Sequence, residues 1–219
     1  MAMTLKQLEA EVIKLKKQVE ENARANDYLE IWKLQSTYAH LYHVGRNSEV
    51  PDLFARKTPG VTMEIEDSGV YEGIESVKYF WTKVFSPDRM HRSPGFLGLH
   101  MTVNPVIEIN RDGTKAKGLW MSHGYVSLGG AAGSLKQFLC LGKYNIEYVK
   151  EEGQWKFWKF QYRITFMCDY RKGWVDEPIC ASIAGNPANR PDSPTTYHMP
   201  YSRYRINTLE PSPPEPYSD

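Results

Sequence analysis

Four strand-forming runs follow one another between residues 100 and 166, and they leave this chain very few architectures. His100–Asn110, Thr114–Leu128, Leu135–Lys150 and Gln154–Phe166 are rich in Val, Ile, Tyr, Phe and Trp, residues that pack well on a pleated surface. Arg111-Asp112-Gly113 and Glu151-Glu152-Gly153 join them as tight turns, and Gly129–Gly133 as a looser link. Links this short make neighbouring strands antiparallel, because a parallel crossover needs about a dozen residues. The preceding residues have the other period. Ile31, Leu34, Tyr38 and Leu41 or Tyr42 mark a helical face, and Ile74 to about Phe85 carries Val77, Phe80, Trp81 and Val84 on one side. Helices first and long antiparallel strands afterwards imply an α+β layer, a curved sheet with helices on its inner face.

Shorter signals fill the gaps. Asp27 and Glu30 resemble a capping box that opens the second helix, and Gly45–Asn47 closes it. Pro51–Phe54 makes a helical turn, Val61–Glu66 a strand and Asp67-Ser68-Gly69 its turn. Pro87 stops the next helix, and Ser86–Gly98 is loop. Ahead of all this, Leu5, Leu8, Val12, Leu15 and Val19 alternate steps of three and four, a coiled-coil-like stripe too narrow to bury itself. It is expected to pack on a partner helix or a second subunit. Val19 to Ile31 is twelve residues, not the fourteen of two heptads, so either the helix bends or two helices meet there. From Pro178 onward, with nine of the 14 prolines, the chain becomes an extended tail. Tyr197, Tyr201 and Tyr204 are expected to lie against a surface such as a neighbouring subunit, with the last ten residues disordered. The domain plan is then 1–26 coiled-coil-like helix, 27–177 α+β domain and 178–219 Pro-rich tail.

Charge removes some partners. Lys plus Arg number 27 against 26 Asp plus Glu, a net +1, so no field draws the chain to nucleic acid or to an anionic membrane. Cys140, Cys168 and Cys180 form no C-x-x-C pair, and no run approaches the roughly 20 apolar residues of a bilayer span. A soluble cytoplasmic protein is expected.

The order of elements, with Tyr38-Ala39-His40-Leu41-Tyr42-His43 followed by Asp52-Leu53-Phe54-Ala55, Tyr71-Glu72-Gly73, His100 five residues before Pro105, and Tyr170–Trp174, resembles the NTF2-like superfamily. More narrowly it resembles the SnoaL-like branch, with scytalone dehydratase, bile-acid 7-alpha-dehydratase and ketosteroid isomerase. The resemblance implies a cystatin-like α+β barrel. It also implies a cofactor-independent lyase (dehydratase) or isomerase that abstracts a proton from a ring-bearing apolar substrate, such as a steroid or polyketide-like molecule. His100 matches the strand histidine of the dehydratases and Tyr38 their helix tyrosine, while His43 stands where they carry an aspartate. The implied catalytic set is His100 as base, His43 as its orienting partner and Tyr38 as hydrogen-bond donor.

A His/His pair cannot fix an imidazole by charge. Either His43 bonds His100 as a neutral partner, or another carboxylate has taken the role, Glu64 being the candidate. Tyr38 and His43 are about 140° apart on an ideal helix, so sharing a pocket requires the end at Gly45 to unwind. Tyr42, Trp81, Trp120, Phe138 and His123 complete the expected substrate lining, His123 facing with Met121 and Tyr125. Neither a metal nor a cofactor is expected, since His43, His100 and His123 lack metal-site spacing and Gly129–Gly133 opens no helix. The competing class is a non-catalytic module that binds a small apolar ligand or assembles oligomers. A homo-oligomer, dimer or trimer, is expected in either case.

Overall fold

Residues 3–85, 93–129 and 135–218 are described by a computed structural model of the chain. The stop at Pro87, most of the Ser86–Gly98 loop and the link beyond Gly129 lie outside them.

The N-terminal fifth of the chain is one helix, α1, running unbroken from Leu5 to His43 over 39 residues, roughly 60 Å at 1.5 Å per residue. Thr4 caps it: its Oγ1 accepts from Gln7 N at 3.3 Å, and the Gln7 side chain accepts from Thr4 N at 2.9 Å. Asp27 therefore opens no second helix. Its carboxylate is buried, paired with the Lys150 ammonium and accepting the Trp155 indole N–H at 2.9 Å. An aspartate inside a helix costs only a few tenths of a kcal/mol relative to better formers, less than these contacts return. The twelve-residue phase change is thus not a junction of two helices. At about 100° per residue, the stripe of Leu5 to Val19 and the buried face of Asp27 to Tyr42 lie roughly 120° apart on one helix.

Beyond α1, a 3-10 turn at Asn47–Leu53 leads to strands β1 (Thr62–Ile65) and β2 (Val70–Glu72). Helix α2 (Gly73–Tyr79) continues into a π-helical turn, Phe80–Val84. Four long strands complete the sheet: β3 (Leu97–Ile109), β4 (Lys115–Gly129), β5 (Leu135–Glu151) and β6 (Gln154–Asp169). The order is β2-β1-β6-β5-β4-β3, antiparallel throughout except that β1 runs parallel to β6. The first and last strands of that order are edges, so the expected barrel is an open curved sheet, and the α+β class stands. In β3 the register shifts between Val103 and Val106, where Asn104 has φ 51° and Pro105 has no N–H to give.

Ile31, Leu34, Tyr38 and Tyr42 of α1 pack on one face of the sheet against Trp120, Tyr144, Tyr148, Phe157 and Phe160. Among the described residues no helix is long and apolar enough to cross a membrane.

The tail lies on its own chain. Met167 N donates to Pro178 O and Cys180 N to Met167 O, each at 2.8 Å, and Ser193 pairs with Val70. Farther on, Lys143 donates to the carbonyls of Leu209 and Pro211, and Lys117 sits 4.7 Å from the Tyr217 ring, so the end of the chain is held where disorder was expected. Glu64 is the central latch, its carboxylate accepting from Gln161 Nε2 at 2.8 Å and from Thr196 N at 2.6 Å and Oγ1 at 2.5 Å. Replacing Glu64 by alanine is expected to raise local opening of the tail roughly tenfold, the equivalent of about 1.5 kcal/mol. Faster amide exchange at Thr196 and Tyr197 measures it.

Candidate active site

Register decides which side chains meet. His100 pairs with Gly124 and Thr102 with Ser122, so His100 shares the helix-facing side of the sheet with Ser122 and Trp120. Alternation sends His123 to the other face, beside Tyr125 at 5.9 Å between ring centroids, and so out of the site where it was expected. Two glycines make room on the inner face. A β-carbon at Gly124 would stand 3.0 Å from His100 Nδ1, and one at Gly142 2.5 Å from Tyr162 Oη.

His100 lies between the rings of Tyr42, at 5.5 Å, and Tyr162, at 6.0 Å. His43 does reach it, but through the main chain: His43 Nε2 stands 3.0 Å from His100 N and 3.1 Å from its carbonyl oxygen. The N–H that edge strand β3 would leave open is bonded by the end of α1, and the His100 imidazole is left free. Its Nδ1 is buried without a partner among the described residues. Burial, helped by the neighbouring His43, lowers the His100 pKa from 6.5 to about 4, so the ring is neutral at pH 7.

Tyr38 comes in from α1 and shares a hydrogen bond with Tyr144, 3.1 Å between their oxygens. Burial, then Tyr144, raises the Tyr38 pKa, and burial raises that of Tyr144 although its hydrogen bond to Tyr38 opposes this, so both phenols stay protonated. Ser122 Oγ lies near Tyr144 and Tyr162, yet it, Tyr162 Oη and the Trp81 indole nitrogen are buried without hydrogen-bond partners among the described residues.

Glu66, not Glu64, is the carboxylate of this cavity. Strict alternation along β1 would put both on the same side. Glu66 instead has φ 55°, in the left-handed region, which turns its side chain inward to line the cavity with His100. Burial, and then Asp67, raises its pKa from 4.5 to about 8, so it is mostly protonated at neutral pH. Its side chain has neither hydrogen bond nor ion pair among the described residues. Nothing in the sequence pattern flags it except its place directly before the Asp67-Ser68-Gly69 turn.

The cavity measures about 300 Å³, walled by Tyr42, Phe85, Phe96, Val126, Leu128 and Met167, with Ala181–Ile183 of the tail along one side. A recess of about 30 Å³ opens deeper, against Tyr38, Trp81, Glu66, His100, Tyr144 and Tyr162. Such a space takes a group the size of one water. Trp120 and Phe138 are not in the wall. Trp120 donates to Tyr148 Oη at 2.9 Å in the core, and Phe138 packs with Val126 and Cys140 in a second cluster. Among the described residues no three His, Cys, Asp or Glu side chains gather as metal ligands.

These two shifted groups set a pH signature. Glu66 keeps its proton to about pH 8 in the folded chain but only to 4.5 when unfolded, so its contribution is full below pH 4.5 and drains away towards 8. His100 acts oppositely, its contribution being present above pH 6.5 and lost as pH falls towards 4. They offset each other between 4.5 and 6.5, and Glu66 alone acts from 6.5 to 8. Stability is expected to fall there by about 1 kcal/mol per pH unit. Urea titrations of Glu66→Gln should lose that slope, and an unchanged slope would place its source elsewhere.

A family model described as a SnoaL-like domain matches residues 23–161. No curated protein matches the chain. Among solved structures, a candidate scytalone dehydratase from Novosphingobium aromaticivorans is similar at TM-score 0.57 and 17% identity, covering 74% of this chain and 99% of its own. A hexachlorocyclohexane dehydrochlorinase, LinA type 2, gives 0.56 and 19%, covering 68% and 92%. LinA type 3 from Novosphingobium barchaimii gives 0.53 and 19%, covering 68% and 93%. At these identities the likeness is one of fold.

Proposed function

Since the chain belongs to the SnoaL-like domain family, we propose, from that membership and the geometry of its cavity, a lyase or isomerase that moves a proton on a compact ring-bearing apolar molecule without a resident cofactor. One observation carries the reading: an unpaired neutral imidazole and a protonated carboxyl group line the same apolar cavity. Environments that push two titratable groups apart in pKa, one neutral base and one neutral acid, define an acid–base pair.

In this reading His100 takes a proton from the carbon next to a carbonyl. Glu66 gives its proton to the departing hydroxyl on the neighbouring carbon. The C–H electrons become the new C=C bond, the C–O electrons leave with water, and the recess has room for that water. The imidazolium and carboxylate so formed lie in one cavity, and return of the proton from His100 to Glu66 resets the site. Returning the proton to another carbon of the substrate gives an isomerase. Tyr38 acts through Tyr144, holding the recess polar, and His43 positions the β3 backbone that carries His100.

A cavity of about 300 Å³ is at the small end for ligand sites, which favours one or two rings over a larger polycycle. The similar proteins are named for eliminations, and two of those names carry a compact carbocycle, hexachlorocyclohexane. The test is a set of one- and two-ring β-hydroxy ketones in D2O followed by proton NMR. Loss of water or deuteration at the α-carbon is expected; both should be strongly reduced in His100→Gln, and loss of water alone in Glu66→Gln. Saturable binding with neither product nor exchange would make the cavity a binding site only.

A further inference from the structure

The first 22 residues of α1 touch little of their own chain. Leu5, Leu8, Val12, Leu15 and Val19 are between 45% and 75% exposed, on a helix capped at Thr4 and anchored to the sheet at Asp27. The body packs about 120° around the helix from this stripe, so it cannot fold back to cover it. We propose that residues 5–19 form a parallel two-stranded coiled coil with the same residues of a second copy of this chain.

The seam itself names the occupant. Leu5, Val12 and Val19 fall at a positions and Leu8 and Leu15 at d, and β-branched a with leucine d is the pattern of parallel dimers. Asn22 and Asn26 continue the same register. In a parallel pair they meet themselves, whereas an antiparallel pair with these layers sets Asn22 against Leu5. Flanking the seam, Glu11 at g faces Lys16 at e of the other copy, an attractive pair that the two-fold axis repeats. Among the described residues of one chain Glu11 has only Lys14, at 3.6 Å and well exposed. Lys6, Lys14, Lys16 and Lys17 balance Glu9, Glu11, Glu20 and Glu21, so two copies meet without net repulsion. An isolated helix of this length is marginal in water. Here it is continuous with a segment already anchored to the sheet, so association need not also order it.

Light scattering on the full chain is expected to give twice 25.3 kDa, and Leu8→Asp with Leu15→Asp to halve it with the body's melting unchanged. Glu11→Lys should weaken dimerisation about tenfold, and adding Lys16→Glu should restore it. Leu15→Cys should cross-link to itself on mild oxidation while the parent chain does not, because only the parallel seam brings residue 15 opposite residue 15. A monomeric parent chain, a trimer, a mass indifferent to the aspartates, a charge swap without rescue, or absence of the cross-link would each overturn the proposal.

Discussion

Glutamine in place of His100 is expected to lower turnover by about 10²- to 10⁴-fold, the usual contribution of a positioned general base, with the fold retained. Glutamine fits the space over Gly124 and leaves the backbone bonds to His43 in place, so the loss would belong to the ring. The pH profile sharpens the test. His100 should be a competent base down to about pH 4, and Glu66 a competent acid up to about pH 8, so activity should span a plateau between those limits. Glu66→Gln should remove the alkaline limb as it lowers the rate. His43→Ala addresses a different link: it frees the His100 N–H on an edge strand and should reduce the rate by displacing β3, while the acid limb moves only slightly upward, because burial is the larger cause of the lowered His100 pKa and His43 the smaller. Equal turnover in His100→Gln and the parent chain would end the assignment.

The largest structural effect is expected far from that cavity. Asp27→Ala should destabilise the chain by about 3 kcal/mol, since it strands the Lys150 ammonium and the Trp155 indole N–H at the far end of the sheet. For a domain of this size that is a fall of roughly 6 to 12 °C in Tm. The lower end of the range for broken buried pairs applies because Lys150 keeps 25% exposure and can turn to water. Asp27→Asn retains an acceptor for Trp155 and should cost less. Thermal unfolding of both, beside Asp27→Leu with Lys150→Met, separates the lost pair from the stranded charge. A melting temperature for Asp27→Ala within a degree of the parent chain would mean that this contact does not anchor α1.

The two sites differ in how far they could be read from residues alone. Tyr38, Tyr42 and Trp81 meet at the cavity because helical periodicity had already put each on the inward side of its own helix, whereas His100 was singled out by the family resemblance and not by its strand pattern. His123 could not be assigned to a face, because alternation relates neighbours in a strand but does not say which side the helix covers. Glu64 and Glu66 show a second limit. Both lie on one side of an ideal strand, yet a single left-handed residue sends Glu66 into the cavity and leaves Glu64 to hold Thr196. That backbone angle belongs to the turn as folded, where Glu66 N bonds Tyr162 O at 2.9 Å across the sheet. His43 shows a third, since a match by position says that it approaches His100 and not which atoms it meets.

By itself the sequence determined what short-range physics controls: where strands and helices lie, which turns join them, and that α1 carries two apolar faces out of phase. Local spacing is enough for these because side-chain direction repeats with a fixed period in each element. Only the tertiary structure decided whether α1 breaks at Asp27, whether the sheet closes, and which carboxylate enters the cavity. Each of these turns on partners far away in the chain. Lys150 and Trp155 outweigh a weak helix former, β2 and β3 remain edges that never meet, and the fold around Glu66 holds a residue in a conformation that it seldom adopts alone.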